Sequence, residues 1–140
     1  MKNSIVLVMS MWAMSMNLMA SKGNDHMNQN QDQAKAVYKI LTQSQWAQFQ
    51  ADGFFQGNSA DLNDGFIHLS KQDQLDRVIK KYYKGISPIY IIEFSQAEFL
   101  ESLVWEAASN GDLYPHLYES RLEIEGVNLS RVQRLENISE

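Results

Sequence analysis

Cysteine is missing from all 140 residues, which excludes disulfide staples, thiolate metal sites and a cysteine nucleophile. Two prolines and seven glycines are too few for a Pro/Gly-rich linker or low-complexity chain. Basic residues are in deficit, with 12 Lys and Arg against 17 Asp and Glu and a formal charge of −5. Such a chain has no electrostatic footprint for duplex DNA. Gly-rich phosphate loops, dinucleotide fingerprints, H-E-x-x-H and G-x-S-x-G are all absent. A nucleotide ligand would have to be held in some other way. What is present, 44% hydrophobic and 21% charged residues, suits one ordinary globular domain.

Methionine is absent after Met27, and all seven fall within the first 27 residues. The start reads as a short basic n-region at Lys2, then an apolar run from Ile5 to Ala20 interrupted by Ser10, Ser15 and Asn17. This pattern predicts a signal peptide over 1–20, cleaved after Ala20, and a periplasmic or secreted protein. The run is too short and too interrupted for a comfortable bilayer span, so no stable membrane span is expected after cleavage. Leu18, large for its place before the cut, leaves an anchored form open. Translation from Met27 would instead give a cytoplasmic protein. Residues 21–35, rich in Asn, Gln and Asp, predict a disordered polar spacer.

Residues 36–140 carry the folding signals. Val37–Leu41 reads as a strand; Thr42 with Gln45 forms a capping box for a helix bearing Trp46 and Phe49 and ending near Gly53. Asp64-Gly65 reads as a turn before a strand over Phe66–Leu69. Ser70 with Asp73 predicts the start of the next helix, whose stripe is Leu75, Val78, Ile79 and Tyr82 and whose end lies near Gly85. Lys80, Lys81 and Lys84 read as its solvated face. Ile89–Phe94 is apolar enough for a central strand. A short helix over Ser95–Leu100, a strand over Leu103–Glu106, a loop at Asn110-Gly111 and a strand near Arg131–Leu135 complete the pattern. Short strands interleaved with short helices predict an α+β domain.

Two segments stand out as places for chemistry: Asp64-Gly65-Phe66-Ile67-His68-Leu69-Ser70 and Tyr114-Pro115-His116-Leu117-Tyr118. Each contains histidine, leucine and a hydroxyl residue in series. In a strand His68 and Ser70 share a face, and an imidazole beside a hydroxyl can hold a sugar oxygen or exchange a proton. The structural alternative is a helix-capping Ser70 and a His68 bonded to backbone. His116 is expected in an aromatic loop, with Tyr114 and Tyr118 either binding a ligand or sealing the core edge. Glu106 reads either as a catalytic carboxylate or as an exposed residue after a buried Trp105. No ligand spacing supports a metal site of His68, His116 and a carboxylate.

Tyr38-Lys39-Ile40, the Trp46 helix, D-G-F-I-H-L-S over 64–70, Gln74, Trp105-Glu106 and P-H-L-Y over 115–118 together resemble the bacterial family called domain of unknown function 952. That family is grouped by fold with the ADP-ribosyltransferases. The resemblance implies a small ADP-ribosyltransferase-like α+β domain, with NAD or a related nucleotide as a small-molecule substrate and His68-Leu69-Ser70 as its ribose-holding element. It also implies a stacking tyrosine, Tyr90 or Tyr118, and a final acidic residue, Glu106. Glu119-Ser120 departs from the Gly and Pro that usually follow P-H-L-Y.

The expected site is thus His68, His116 and Glu106 as catalytic groups and Ser70, Tyr118, Lys39 and Tyr90 as ligand contacts, without metal. His68, Ser70, His116 and Tyr118 are expected to converge on one cleft. Two other functions compete: a non-catalytic small-ligand or protein-binding domain on the same fold, and a metal-independent phosphodiesterase using two histidines.

Overall fold

In the computed structural model, residues 35–118 and 126–139 are described. The signal peptide over 1–20, the spacer over 21–35 except Lys35, the alternative start at Met27 and the Glu119-Ser120 departure lie outside the described residues. No helix among the described residues is long and apolar enough to cross a membrane.

The architecture is mixed α+β. Strand β1 (Ala36–Thr42) leads into helix α1 (Gln43–Asp52), then β2 (Phe54–Phe55), α2 (Ser59–Asp64), β3 (Ile67–His68) and α3 (Leu75–Tyr82). Strands β4 (Ile89–Ser95), β5 (Leu103–Ala107), β6 (Leu113–Leu117), β7 (Val127–Asn128) and β8 (Val132–Ile138) follow. They form three small sheets, ordered β1-β4-β8, β2-β7 and β3-β6-β5, with every pairing antiparallel.

The first sheet is covered on both faces, as strand periodicity allows. Val37, Leu41, Ile92 and Phe94 face a core completed by Trp46, Phe49, Phe55, Ile67 and Leu117. Ala36, Tyr38, Ile40, Ile89 and Ile91 face the other way, against Leu75, Val78, Ile79 and Tyr83. Lys39 shares the inward parity of Val37 and Leu41, yet it is only 4% exposed. A buried ammonium demands a partner, and supplying that partner shapes the site.

Thr42 caps α1 through the Gln45 backbone, Gln45 answers to the Thr42 N–H, and Gly53 closes the helix in the left-handed region. Elsewhere the structure departs from the sequence expectations. Asp64-Gly65 is not a free turn: Gly65 ends α2, a short helix capped by Asn58 with Asp61 returning the bond. Ser70 does not cap the next helix. Its N–H and carbonyl exchange bonds of 2.9 Å with Tyr38, which stitches the β3 segment to the outer edge of β1. The chain then makes a 3-10 turn over Gln72–Gln74, where the Gln74 side chain accepts from the Lys71 N–H at 3.0 Å. The helix expected over Ser95–Leu100 is a pair of 3-10 turns, Gln96–Glu98 and Leu100–Ser102.

His116 lies in strand β6 rather than in a loop. Pro115 is tolerated there because β3 is only two residues long and its continuation needs just an acceptor: Leu69 N–H donates to the Pro115 carbonyl at 3.0 Å.

Candidate functional site

Pairing of β3 with β6 sets Ile67 opposite Leu117 and His68 opposite His116. Ile67 and Leu117 are buried in the core, so alternation turns both histidines to the other face. Phe66 and Tyr118 share that face by the same alternation. The result is a cluster of four rings. Phe66 stacks on His116 with centroids 4.1 Å apart and touches His68 at 4.6 Å and Tyr118 at 5.2 Å. The two imidazoles meet edge-on at 5.4 Å.

Each histidine presents Nδ1 to a carboxylate. His68 Nδ1 lies 2.8 Å from Asp61 Oδ1, and His116 Nδ1 lies 2.6 Å from Glu106 Oε2. Glu106 Oε2 also accepts from the Tyr118 hydroxyl at 2.7 Å. Asp61 and Glu106 have no proton to give when ionised, so each fixes its imidazole as an Nδ1–H donor. Glu106 is held below the usual carboxylate range by the bonds from Tyr118 and His116.

Asp61 does more. Its Oδ1 also accepts the His68 backbone N–H at 2.9 Å and Lys39 Nζ at 2.9 Å. Oδ2 accepts Lys39 Nζ at 2.7 Å and the Asn58 N–H at 2.9 Å. Lys39 Nζ completes its set on the His68 carbonyl at 3.0 Å. Burial alone would raise the Asp61 carboxyl, but the bonds from His68 and Lys39 outweigh it and hold the group below its ordinary value. Burial pushes the Lys39 ammonium down, while Asp61 pulls it back. Gly57 permits this packing. Its φ is +116°, and a Cβ there would come within 2.8 Å of Asp61 Cβ.

A cavity of about 710 Å³ opens along the outer edge of β1, between α3 and the β5–β6 hairpin. Lys39, His68, Ser70 and His116 line it, with Tyr38, Tyr82, Tyr83 and Tyr114 among its walls. The Tyr83 hydroxyl donates to the Ile40 carbonyl at 2.8 Å, satisfying an acceptor on the open edge. Burial, then the charge of Asp61, push the Tyr83 phenol up to about 12.

His68, Ser70, His116 and Lys39 therefore share one cavity. Glu106 and Tyr118 do not line it: the Glu106 carboxylate accepts from both His116 and Tyr118 behind the cavity wall, so Tyr118 reaches the site only through that bond. Tyr90 does not reach it: it lies on the central strand β4, away from the β1 edge, and stacks on Trp46 at 6.2 Å. Lys39 reaches the cavity wall, but its ammonium is spent on Asp61 and the His68 carbonyl rather than offered to a ligand. The missed residues are Asp61, Asp64 and Phe66. Asp64 Oδ2 sits 3.0 Å from His68 Nε2, so the His68 ring lies between two carboxylates. A ring with one N–H can donate to only one of them. No group of His, Asp and Glu among the described residues is arranged to hold a metal ion.

Residues 40–132 match the model of a family described as Protein of unknown function (DUF952). The crystal structure of CC0527 from Caulobacter crescentus is similar, with 33% identity and a TM-score of 0.65 over 73% of this chain and 84% of that one. The solution NMR structure of CC0527 gives 32% identity and a TM-score of 0.64 over 75% of this chain and 85% of that one. No curated protein matches the sequence.

Proposed function

We propose, from the premise that the chain belongs to this DUF952 family, that its cavity binds a nucleotide of the NAD or ADP-ribose class, in the manner of an ADP-ribosyltransferase-like domain. One observation carries the reading: two imidazoles, brought opposite each other by the β3–β6 register, share a tyrosine-walled cavity of about 710 Å³. Ligand pockets typically span about 300–1,000 Å³ and combine apolar walls with a few placed polar groups. Tyrosine rings offer stacking surfaces for a planar base, while His68 and Ser70 offer polar atoms to a sugar.

Both His68 nitrogens already face carboxylates, which favours a holding role over proton transfer. This observation supports the second reading, a binding domain without turnover. Export with removal of 1–20 belongs to the same proposal. A native chain beginning at or near Ser21 by mass spectrometry supports it, and one beginning at Met1 or Met27 overturns it.

The test is a thermal-shift and calorimetric panel of NAD, ADP-ribose and mononucleotides on the full chain. A ligand at 100 times its dissociation constant stabilises the fold by about 2.7 kcal/mol. His68→Ala is expected to weaken binding by about 0.5–1.5 kcal/mol, the net worth of a hydrogen bond. Silence across the panel overturns the nucleotide reading.

A further inference from the structure

The cavity is electrically lopsided. At its histidine end the buried Lys39 and Asp61 neutralise each other and leave the Asp64 carboxylate, whereas Arg77 and Lys81 line it from α3. Four residues apart, the two cations share one helix face. Across the mouth stands the β5–β6 hairpin, which contributes Ala108, Ser109, Asn110 and Tyr114 to the lining. Arg77 spans the gap. Its Nη2 lies 2.6 Å from Asp112 Oδ2 and donates to the Tyr114 hydroxyl at 2.9 Å. Asn110 braces Asp112 through both its backbone N–H, at 3.1 Å, and its carboxylate, at 2.9 Å. Among the described residues Lys81 has no ion pair; its Nζ lies 4.9 Å from the centroid of the Tyr82 ring.

We infer that Arg77 and Lys81, which line both this cavity and the adjoining groove that holds Asp112, form a phosphate subsite at the boundary between the two, with the Asp112 carboxylate standing where a ligand phosphate would bind. A guanidinium binds carboxylate and phosphate through the same planar fork, so the carboxylate at 2.6 Å marks the position an anion can take. Both Arg77 and Asp112 are half-exposed, at 50% and 44%, so exchanging one anion for another requires no burial of new charge. The inference rests on the nucleotide reading and sharpens it. The ligand is a phosphate-bearing one, oriented with its phosphate toward α3 and its neutral sugar hydroxyls toward Asp64 and His68, since a phosphate at that end would face the half-exposed Asp64 carboxylate.

The experiment titrates the isotopically labelled full chain separately with pyrophosphate, ADP-ribose and adenosine, followed by amide chemical shifts and repeated for three variants. Pyrophosphate is expected to move Arg77, Lys81 and Asp112 amides, and to weaken as salt is raised. Arg77→Ala should weaken pyrophosphate and ADP-ribose by about tenfold or more, the scale of a charge-assisted bond, and leave adenosine unchanged. Asp112→Asn, which keeps the shape and removes the competing charge, should tighten both phosphate ligands. His68→Ala should leave pyrophosphate unaffected. If ADP-ribose shifts the His68 region but Arg77→Ala does not weaken it, the subsite is wrong and the nucleotide reading stands. If pyrophosphate binds as described while ADP-ribose and adenosine leave His68 unmoved, the nucleotide reading fails and the subsite stands. Absence of all three binding events overturns both.

Discussion

His68 and His116 present the same atom to a carboxylate at nearly the same distance, but Asp61 is 1% exposed and Glu106 is 40% exposed. Asp61 sits on five hydrogen-bond contacts from Lys39, His68 and Asn58. Glu106 has two neighbours, His116 and Tyr118, which converge on one oxygen. The first dyad is built into the fold: its carboxylate joins β1, α2 and β3. The second hangs from one sheet and faces outward. Similar local geometry thus serves two ends, and the difference is one of burial rather than of residue type.

The largest expected effect lies on the buried side. Asp61→Ala strands the Lys39 ammonium without its counter-charge, and breaking a buried pair from one side costs about 3–5 kcal/mol. Asp61→Asn keeps the shape but not the charge and should recover only part of the loss. Urea unfolding of both variants measures this. A fall in midpoint no greater than that of an ordinary surface substitution would remove the distinction between the dyads.

His68→Ala comes next. It deletes the Nδ1 bond but leaves Asp61 with Lys39, Asn58 and the residue-68 backbone, so about 1 kcal/mol of stability is at stake after allowance for a side chain 39% exposed. The same variant should also lose nucleotide affinity. A loss of stability with affinity intact would make His68 a support for Asp61 and nothing more.

These expectations also explain what was legible in the sequence. Thr42 and Gln45 announced α1 because a Thr cap with a Gln return sits just before a Trp and a Phe. Asn58 and Asp61 form the same kind of box, yet α2 is six residues long and buries only Asp61, so no apolar stripe advertised it. Gly65 then read as a turn although it is that helix's left-handed end. The partner of Asp61 is Lys39, 22 residues earlier and on another element, a pairing that no local pattern can reveal. His68 and His116 were visible as motifs because each sits in a repeated His-Leu-hydroxyl string. Their meeting depends on strand register, which local spacing does not contain. Pro115 argued for a loop, and only the shortness of β3 makes it acceptable in a strand.

Acid should separate the dyads more gently. Asp61 and Glu106 both hold protons less readily in the folded chain than in the unfolded one. Their stabilisation is therefore complete above the ordinary carboxylate range, near about pH 4, and is lost as pH falls below it through the lowered folded values. The buried Asp61 should supply most of the slope, because solvent screens the half-exposed Glu106. Unfolding midpoints measured downward from about pH 6 should therefore flatten in Asp61→Asn and keep their slope in Glu106→Gln. Equal flattening in the two variants would mean that exposure does not divide them.

The smallest effect belongs to Glu106→Gln at neutral pH. Both donors, His116 Nδ1 and the Tyr118 hydroxyl, point at Oε2, and an amide oxygen placed there has two lone pairs to receive them. The substitution therefore removes charge without removing either bond, at a site where water already screens much of that charge. Its unfolding midpoint should stay close to that of the wild type, while the chemically identical change at Asp61 lowers it clearly. Measured side by side, the two amide substitutions compare a buried carboxylate paired with Lys39 and an exposed one with no cationic partner but histidine among the described residues, each converted from a group bonded to a histidine Nδ1 into its neutral isostere. A Glu106→Gln loss as large as that of Asp61→Asn would show that the outer dyad also holds the fold together, and the contrast between the histidines would disappear.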